Sequence, residues 1–385
     1  MKKPRVLALV LAAALVLTLF AGCSKKDEGN IKIGMVGPLT GEVAMYGTAV
    51  QNAVNLYVDQ YNAAGGLNGR KIEIIPYDDK HDATEATNAY NKLVTSDEVA
   101  AIIGAVTSTP AIAIAQASVE DNMPVITPTA THPDVTSFGK NVYRACFLDP
   151  FQGSTMANFA KGELGAATAA VIYNNSDAYS TGLYESFIAT CAEIGVEVVA
   201  EESYAGTDSD FKSQLTNIAA KDPDVVFLPD YYNSVYLLMT QAKEVGLEAT
   251  FLGVDGADGV LGIEGVNKDV LEGLYFANHY SNQDPSEVVQ TFLKSFKEKY
   301  NEDPSALAAL GYDAAMILIA AIEKVSQNMD IDNSDECRQA IIDALDATSM
   351  DCVTGHVTYD DNNNPIKTCS IILIQGGEYT LYGKF

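Results

Sequence analysis

The chain has 385 residues, 48% of them hydrophobic, and its 24 basic and 51 acidic side chains give a net charge of −27 at neutral pH. This length fits two domains of ordinary size. The negative charge is spread along the chain and argues against binding to nucleic acids or anionic membranes. None of the six cysteines is in a CxxC pair, which excludes a zinc framework.

The first 22 residues are typical of an export signal. Lys2, Lys3 and Arg5 precede an apolar run over residues 6–19, and small residues follow it. The sequence LFAGC, which ends at Cys23, resembles the bacterial lipobox and implies cleavage before Cys23, lipidation of its thiol and a tether over residues 23–30. No later run approaches the roughly twenty apolar residues of a membrane span, so we expect an extracytoplasmic protein that is lipid-anchored to the bacterial membrane.

The next part of the chain alternates strand and helix patterns. Runs rich in apolar and β-branched residues predict strands at 31–37, 71–77, 99–103, 124–127 and 141–146. Between them, apolar residues at helical spacing predict helices near 49–61, 83–94 and 109–120. This rhythm is typical of a doubly wound α/β architecture with a parallel sheet.

Two neighbouring strands of this series end in small hydroxylated residues. The first runs into Thr107-Ser108-Thr109 and the second into Thr127, Thr129 and Thr131. Both clusters are expected at the carboxyl edge of a parallel sheet, where such sheets bind ligands, and the first lies at a helix N-terminus that favours an anion. The alternative is that Thr109 is only an N-cap and Thr131 a turn residue. The pattern predicts an anion site, and a phosphate would fit it as well as a carboxylate.

A second series repeats the pattern and predicts a second, similar lobe. Its strands are expected at 167–173, 196–202, 224–228, 250–252 and 273–277, after a break in the rhythm at 149–153. Three long helices follow at 286–300, 306–326 and 334–346, and then a β-hairpin of strands 356–359 and 368–375. Cys352 and Cys369 flank the turn of this hairpin and form the candidate disulfide.

From Ile31 onward the chain resembles the leucine/isoleucine/valine-binding type of periplasmic binding protein, the type I receptors of ABC importers. The resemblance is carried, in order, by the strings GPLTGEVAMYG, YNAAGGLNGRKIEIIPYDD, IIGAVTST, PVITPTATHPDVT, FKSQL and FLGVDG. It implies two lobes joined by three crossovers near Cys146, Ala277 and Gly355. Lobe 1 would comprise residues 31–146 and 278–355, and lobe 2 would comprise residues 147–277 and 356–385.

The same resemblance implies where a bound amino acid lies. From lobe 1, Thr107, Ser108, Thr129 and Thr131 would meet its carboxylate, with the choice between Thr107 and Ser108 open. Tyr179, Tyr231 and Asp255 would face it from lobe 2, and Tyr46 would cover its side chain. A buried zwitterion needs donors for its carboxylate and an anion for its ammonium, which suits hydroxyls opposed by Asp255. As alternatives, Asp255 is a turn residue and the two lobe 2 tyrosines are packing aromatics.

The implied function is a non-catalytic receptor that closes around a small amino acid, with the branched-chain type favoured, and delivers it to a membrane permease without a cofactor or metal. An acidic ligand would be admitted if Lys80 or His81 reaches the cleft. In several relatives a disulfide ties the loops near His81 and Val106, and this chain has no cysteine at either position.

A sensor for a signalling partner would use the same cleft. An exported hydrolase is the other alternative, but the four histidines lie in different segments and hydrolase motifs are absent.

Overall fold

The computed structural model describes residues 29–385, so the predicted export signal, Cys23 and most of the tether lie outside the described residues. The described residues form ten α-helices: α1 Ala44–Ala63, α2 Ala83–Lys92, α3 Ser108–Ser118, α4 Asp149–Gly162, α5 Ala178–Ile194, α6 Lys212–Ala219, α7 Tyr232–Val245, α8 Glu287–Tyr300, α9 Ala306–Ser326 and α10 Asp335–Asp346. Their strands are β1 Ile31–Gly37, β2 Ile72–Asp78, β3 Ala101–Ile103, β4 Val125–Thr127, β5 Val142–Arg144, β6 Thr168–Asn174, β7 Glu197–Tyr204, β8 Val225–Phe227, β9 Thr250–Gly253, β10 Tyr275–Asn278, β11 Ser349–Cys352, β12 Gly355–Thr358, β13 Ser370–Gln375 and β14 Glu378–Lys384.

Lobe 1 is built on a parallel sheet of five strands in the order β2-β1-β3-β4-β5. Successive strand residues point to opposite faces, so Ile33 and Ile103 pack with residues of α1 and α9. Val36 and Ile102 point to the other face and pack with residues of α2 and α3. Burial on both faces explains why these strands read as nearly continuous apolar runs.

Lobe 2 is built on seven strands in the order β14-β13-β10-β9-β8-β6-β7. The five strands from β10 to β7 are parallel, whereas β13 and β14 are antiparallel additions at one edge. Stacked aromatic rings of Phe187 in α5 and Phe227 in β8, with centroids 4.2 Å apart, lie in its core. The predicted α/β class with two lobes of parallel sheet is therefore confirmed. The predicted break at 149–153 is wrong, because these residues form the first turn of α4.

The predicted C-terminal hairpin is also wrong. Strand β12 pairs with β11 just before it, whereas β13 pairs with β10 and β14. The loop after β12 packs on lobe 1, where Asn363 donates a 2.9 Å hydrogen bond to the carbonyl of Val142 and Asn364 accepts one of 3.1 Å from Thr136. The crossover expected near Gly355 therefore comes later, between Asn364 and β13.

The candidate disulfide between Cys352 and Cys369 is not formed. All five cysteines of residues 29–385 are free and buried. Cys352 ends β11 in the small two-stranded sheet, and Cys369 leads into β13 of the seven-stranded sheet. The sequence predicts this disulfide because both cysteines flank one turn. In the structure the strands next to them belong to different sheets, so the turn does not bring the two thiols together.

Free thiols give a direct test of this correction. A form of the protein that begins at residue 24 is expected to yield five reactive thiols per chain after denaturation without a reductant. Its melting temperature is expected to be the same with and without a reductant, because no cross-link restrains the unfolded chain. Three thiols, or a lower melting temperature in the reductant, would contradict the free state. The measurements are a thiol titration and thermal unfolding followed by circular dichroism.

One helix of the described part is long and apolar enough to cross a membrane, contrary to expectation. It is α9, and 78% of its most apolar stretch is buried inside the protein. Its N-cap Ser305 accepts a hydrogen bond from the backbone N–H of Ala308, and the helix packs along α1. Helix α9 is thus a core helix of lobe 1.

Candidate functional site

The predicted binding residues meet in a small cavity between the two lobes. Seven of the eight line it, and the full lining consists of Tyr46, Val106, Thr107, Ser108, Thr129, Tyr179, Tyr231, Asp255, Gly256 and Leu307. The cavity measures about 20 Å³, which is room for roughly one water molecule. An amino acid can therefore enter only if the lobes move apart.

A larger cavity of about 530 Å³ lies beside this one, bordered by Met45, Gly259 and Phe296 among others. Its volume is large enough to hold an amino acid. Its buried carboxylate, Asp258, already accepts a 2.6 Å hydrogen bond from the backbone N–H of Ala306. We place the ligand site in the smaller cavity, because there the hydroxyls of Thr107, Ser108 and Thr129 in lobe 1 face the Asp255 carboxylate of lobe 2.

Lobe 1 contributes hydroxyl groups at the start of α3. The N-cap residue is Thr107 and not Thr109, and no side chain caps the helix. The Thr107 hydroxyl lies 2.8 Å from Nδ1 of His81, and the Ser108 hydroxyl accepts a hydrogen bond of 3.3 Å from the backbone N–H of His132. The first turn of α3 thus presents its dipole and two hydroxyls to the cavity, a suitable environment for a carboxylate.

The second hydroxyl cluster follows β4, the neighbour of β3 in the sheet. Thr129 lines the cavity and donates its hydroxyl hydrogen bond to the carbonyl of Val106. Thr131 is fully buried but lies outside the lining. Of these two threonines, only Thr129 lines the cavity.

Lobe 2 contributes Asp255, which follows β9 and begins a short 3-10 turn. One carboxylate oxygen accepts a 2.6 Å hydrogen bond from the Tyr179 hydroxyl, and the other lies 2.8 Å from Nε2 of His279. The backbone N–H of Asp255 donates to the side-chain carbonyl of Gln152 at 3.0 Å. Asp255 is the only carboxylate among the lining residues, which makes it the candidate acceptor for an ammonium group.

Sequence reasoning did not assign His279 to the site. It follows β10, which is parallel to β9 and hydrogen-bonded to it. Applied to this pair of strands, the strand-end argument that selected Thr107 and Thr129 would have placed His279 beside Asp255. That argument could not be made from the sequence, because the sequence does not show that β9 and β10 are neighbours in the sheet.

Three tyrosines form the aromatic wall of the cavity. The rings of Tyr179 and Tyr231 stack with centroids 4.8 Å apart, and Tyr46 meets Tyr231 edge to face at 5.7 Å. His81 also packs edge to face on Tyr231, at 5.4 Å, and so reaches the cleft. Lys80 does not line the cavity and instead pairs with Glu85 at the surface, 3.6 Å away. The sequence did not decide whether Lys80 or His81 reaches the cleft, and in the structure only His81 does.

The lobes are joined across the cavity by several hydrogen bonds. Tyr46 donates its hydroxyl hydrogen bond to the carbonyl of Gly256 and accepts one of 3.2 Å from the backbone N–H of Tyr232. Thr109 donates a 2.7 Å hydrogen bond to the carboxylate of Asp177. Because these bonds run from lobe 1 to lobe 2, the lobes are closed against each other in this structure.

Tyr46→Phe is expected to weaken ligand binding by about tenfold, since removing its hydroxyl leaves the buried Gly256 carbonyl and Tyr232 N–H without their partner in the closed form. Isothermal titration calorimetry measures the loss. Tyr382→Phe is the control, because that hydroxyl bonds to Glu163 at the surface. Equal affinities for Tyr46→Phe and the parent protein would show that the hydroxyl does not stabilise closure.

Two other buried aspartates lie close to the cavity but do not line it. Burial raises the pKa of Asp230 to about 7, although Tyr204 and the backbone N–H of Tyr231 donate hydrogen bonds to it. Burial also raises the pKa of Asp149 well above its ordinary value. Both aspartates thus hold protons more tightly than an exposed carboxyl group would.

The structure also brings together a serine, a histidine and an aspartate on the β11–β12 hairpin. The Ser349 hydroxyl lies 3.2 Å from Nε2 of His356, whose Nδ1 lies 2.7 Å from Asp351. The side chains of Asp351 and His356 are 87% and 53% exposed. Water therefore solvates this acid and base, whereas hydrolases act from enclosed sites where charges are poorly screened.

Comparison with known proteins agrees with this geometry. The family model described as periplasmic binding protein matches residues 30–376. The chain belongs to this family. This binding protein is 30% identical over 357 residues to the leucine-, isoleucine-, valine-, threonine- and alanine-binding protein of Pseudomonas aeruginosa, and the match covers 92% of each chain. Proteins of this family bind solutes outside the cytoplasm for ABC importers.

Solved structures resemble this binding protein over nearly its whole length. The leucine-binding protein LivK of Thermotoga maritima is 32% identical, covers 92% of this chain and 98% of its own, and superposes with a TM-score of 0.85. LivJ of Streptococcus pneumoniae, a branched-chain amino acid transporter substrate-binding protein in complex with isoleucine, is 29% identical with the same coverage and a TM-score of 0.83.

Proposed function

We propose that this binding protein captures a branched-chain or similar apolar amino acid between its lobes and delivers it to the permease of an ABC importer. The observation that carries the proposal is the opposition of two kinds of group across one cavity. Hydroxyls at the first turn of α3 face Asp255 from the other lobe. A zwitterion is the ligand that satisfies both ends at once.

The energetics favour an α-amino acid over a simple anion or cation. A charge buried without a partner costs several kcal/mol. A carboxylate lacking an ammonium would leave Asp255 buried and unpaired, and an amine lacking a carboxylate would leave the α3 N-terminus unsatisfied. Only the complete zwitterion avoids both costs, so discrimination against either half-ligand is expected to be strong.

The remaining walls suit an apolar side chain. Val106 and Leu307 line the cavity together with the rings of Tyr46 and Tyr231, and none of the lining residues is basic. The His81 ring packs on Tyr231, and its Nδ1 is engaged with the Thr107 hydroxyl at 2.8 Å. LivK is a leucine-binding protein and LivJ was solved in complex with isoleucine, and both of these amino acids have apolar side chains that suit this lining.

A thermal-shift panel with matched ligands tests the proposal. Leucine, isoleucine and valine at about 100 times Kd should each add about 2.7 kcal/mol to the free energy of unfolding. Two controls remove one charged group each, 4-methylpentanoate without the ammonium and 3-methylbutylamine without the carboxylate, and each should stabilise the protein far less than leucine at the same concentration. Stabilisation by 4-methylpentanoate equal to that by leucine, or no response to any amino acid, would overturn the assignment.

Two further parts of the proposal concern how the protein is attached to the membrane and whether it changes its ligand chemically. We infer that Cys23 carries the lipid and that the ligand is released unchanged. In cells, Cys23→Ser should move the protein from the membrane fraction to the soluble extracytoplasmic fraction, whereas Cys191→Ser, at a buried cysteine, should not. Mass spectrometry of leucine recovered after incubation should find no product.

A further inference from the structure

His279 links the candidate ammonium site to the hinge between the lobes. It directly follows β10, at the second passage of the chain between the lobes, and its ring stacks on Phe147 at the first passage, with centroids 3.7 Å apart and planes 26° from parallel. Its Nε2 lies 2.8 Å from the Asp255 carboxylate, and its side chain is fully buried. His279, which hydrogen-bonds to Asp255, is therefore in contact with two of the three segments that connect the lobes.

The surroundings of the ring determine its protonation. Nδ1 is buried and has no hydrogen-bond partner among the described residues. A charged imidazole would carry an N–H on both nitrogens, and the one on Nδ1 would be buried without an acceptor. A neutral ring with its proton on Nε2 donates to Asp255 and leaves only a lone pair on Nδ1.

Charges around the ring agree with this assignment. Burial lowers the pKa of His279 below its ordinary value, although the hydrogen bond and charge of Asp255 act in the opposite direction. Lys367 is the other charged group that acts on the ring, and it also disfavours the protonated form. The ring therefore does not neutralise Asp255 as a cation would.

We infer that His279 is a positioning residue for ligand binding, which as a neutral donor orients the Asp255 carboxylate and leaves its negative charge available to the ligand ammonium. Tyr179 and His279 each occupy one carboxylate oxygen. The second lone pair of each oxygen remains free to accept from the ammonium. This inference rests on the proposed function, because it presupposes an ammonium at Asp255.

Two substitutions separate the donor from the bulk of the ring. His279→Leu removes the N–H, and we expect leucine to bind about 10- to 100-fold more weakly, since a hydrogen bond to a charged group is lost. His279→Gln retains an N–H donor of similar reach and should recover most of the affinity. Isothermal titration calorimetry measures both variants, and thermal unfolding without ligand identifies any loss of stability.

A second readout separates positioning from a general structural role. The ratio of affinities for leucine and 4-methylpentanoate should fall in His279→Leu, because only leucine carries the ammonium that Asp255 holds. In ¹⁵N spectra of the parent protein, the signal that His279→Gln removes should be that of a neutral ring protonated on Nε2 between pH 6 and 8.

The outcomes also distinguish this inference from the proposed function. If the parent protein binds leucine and His279→Leu binds it equally well, or the ¹⁵N signal is that of a doubly protonated ring, the role of His279 is wrong and the function stands. Parallel losses for leucine and 4-methylpentanoate in His279→Leu would likewise overturn the positioning role. If the parent protein binds no amino acid, the proposed function fails first.

Discussion

Asp255→Asn is expected to weaken leucine binding by at least about 100-fold and to leave the fold intact. The ammonium would lose its anionic partner in a buried site, which costs about 3–5 kcal/mol, and tenfold in affinity corresponds to about 1.4 kcal/mol. The asparagine amide keeps the size of the carboxylate but turns an N–H toward Tyr179 or His279, both of which donate to Asp255 in the parent protein. Isothermal titration calorimetry measures the affinity and circular dichroism the fold.

Asp351→Asn is the matched control for this experiment. The substitution is chemically identical, but the Asp351 side chain is 87% exposed and lies on the β11–β12 hairpin, outside the cavity lining. Leucine affinity should stay within about twofold of the parent value, because water screens an exposed charge. If Asp255→Asn behaved like Asp351→Asn, the ammonium site would have to lie elsewhere.

Gly47→Ala is expected to destabilise the protein by about 3 kcal/mol and to weaken ligand binding as well. A Cβ on Gly47 would lie 2.1 Å from the carbonyl oxygen of Pro38, a backbone atom. The Pro38 loop has little freedom to yield, because the backbone N–H of Leu39 donates a 2.8 Å hydrogen bond to Asp78. The start of α1 must shift instead and carry Tyr46 with it, and such overpacking costs about 1–3 kcal/mol or more.

Gly162→Ala controls for the chemistry of this substitution. Gly162 ends α4, and a Cβ there meets nothing within 4 Å. Alanine in place of a helical glycine stabilises by about 0.5–1 kcal/mol, so the two variants should change the free energy of unfolding in opposite directions. Urea unfolding measures both, and a Gly47→Ala protein as stable as the parent would show that the Pro38 loop yields after all.

Much of the fold could be predicted from local patterns. The strand 31–37 and the helix 306–326 were predicted with the bounds that the structure has, and most other elements differ by one to three residues. Strands that are buried on both sheet faces appear in the sequence as continuous apolar runs. Helices with one side toward solvent appear as apolar residues at helical spacing. The hydroxyl residues that end two adjacent strands indicated the cavity because parallel strands end at the same edge of a sheet.

The failures concern residues that lie far apart in the chain. Strand β12 was assigned to a hairpin with a later strand, but it pairs with β11, which reads too weakly as a strand in the sequence. The same misread turn led to the predicted pairing of Cys352 with Cys369. Neither strand pairing nor cysteine pairing is fixed by local periodicity, because both depend on which segments become neighbours.

By itself the sequence determined the α/β class, the repetition of two lobes and the chemistry at the strand ends, because these follow from local periodicity and from the shared direction of parallel strands. Only the tertiary structure decided that β9 lies beside β10, which brings Asp255 and His279 together across 24 residues of chain. It also decided that His81 reaches Thr107 and that Thr131 does not line the cavity. Sheet order and side-chain packing set these contacts, and no local repeat encodes either one.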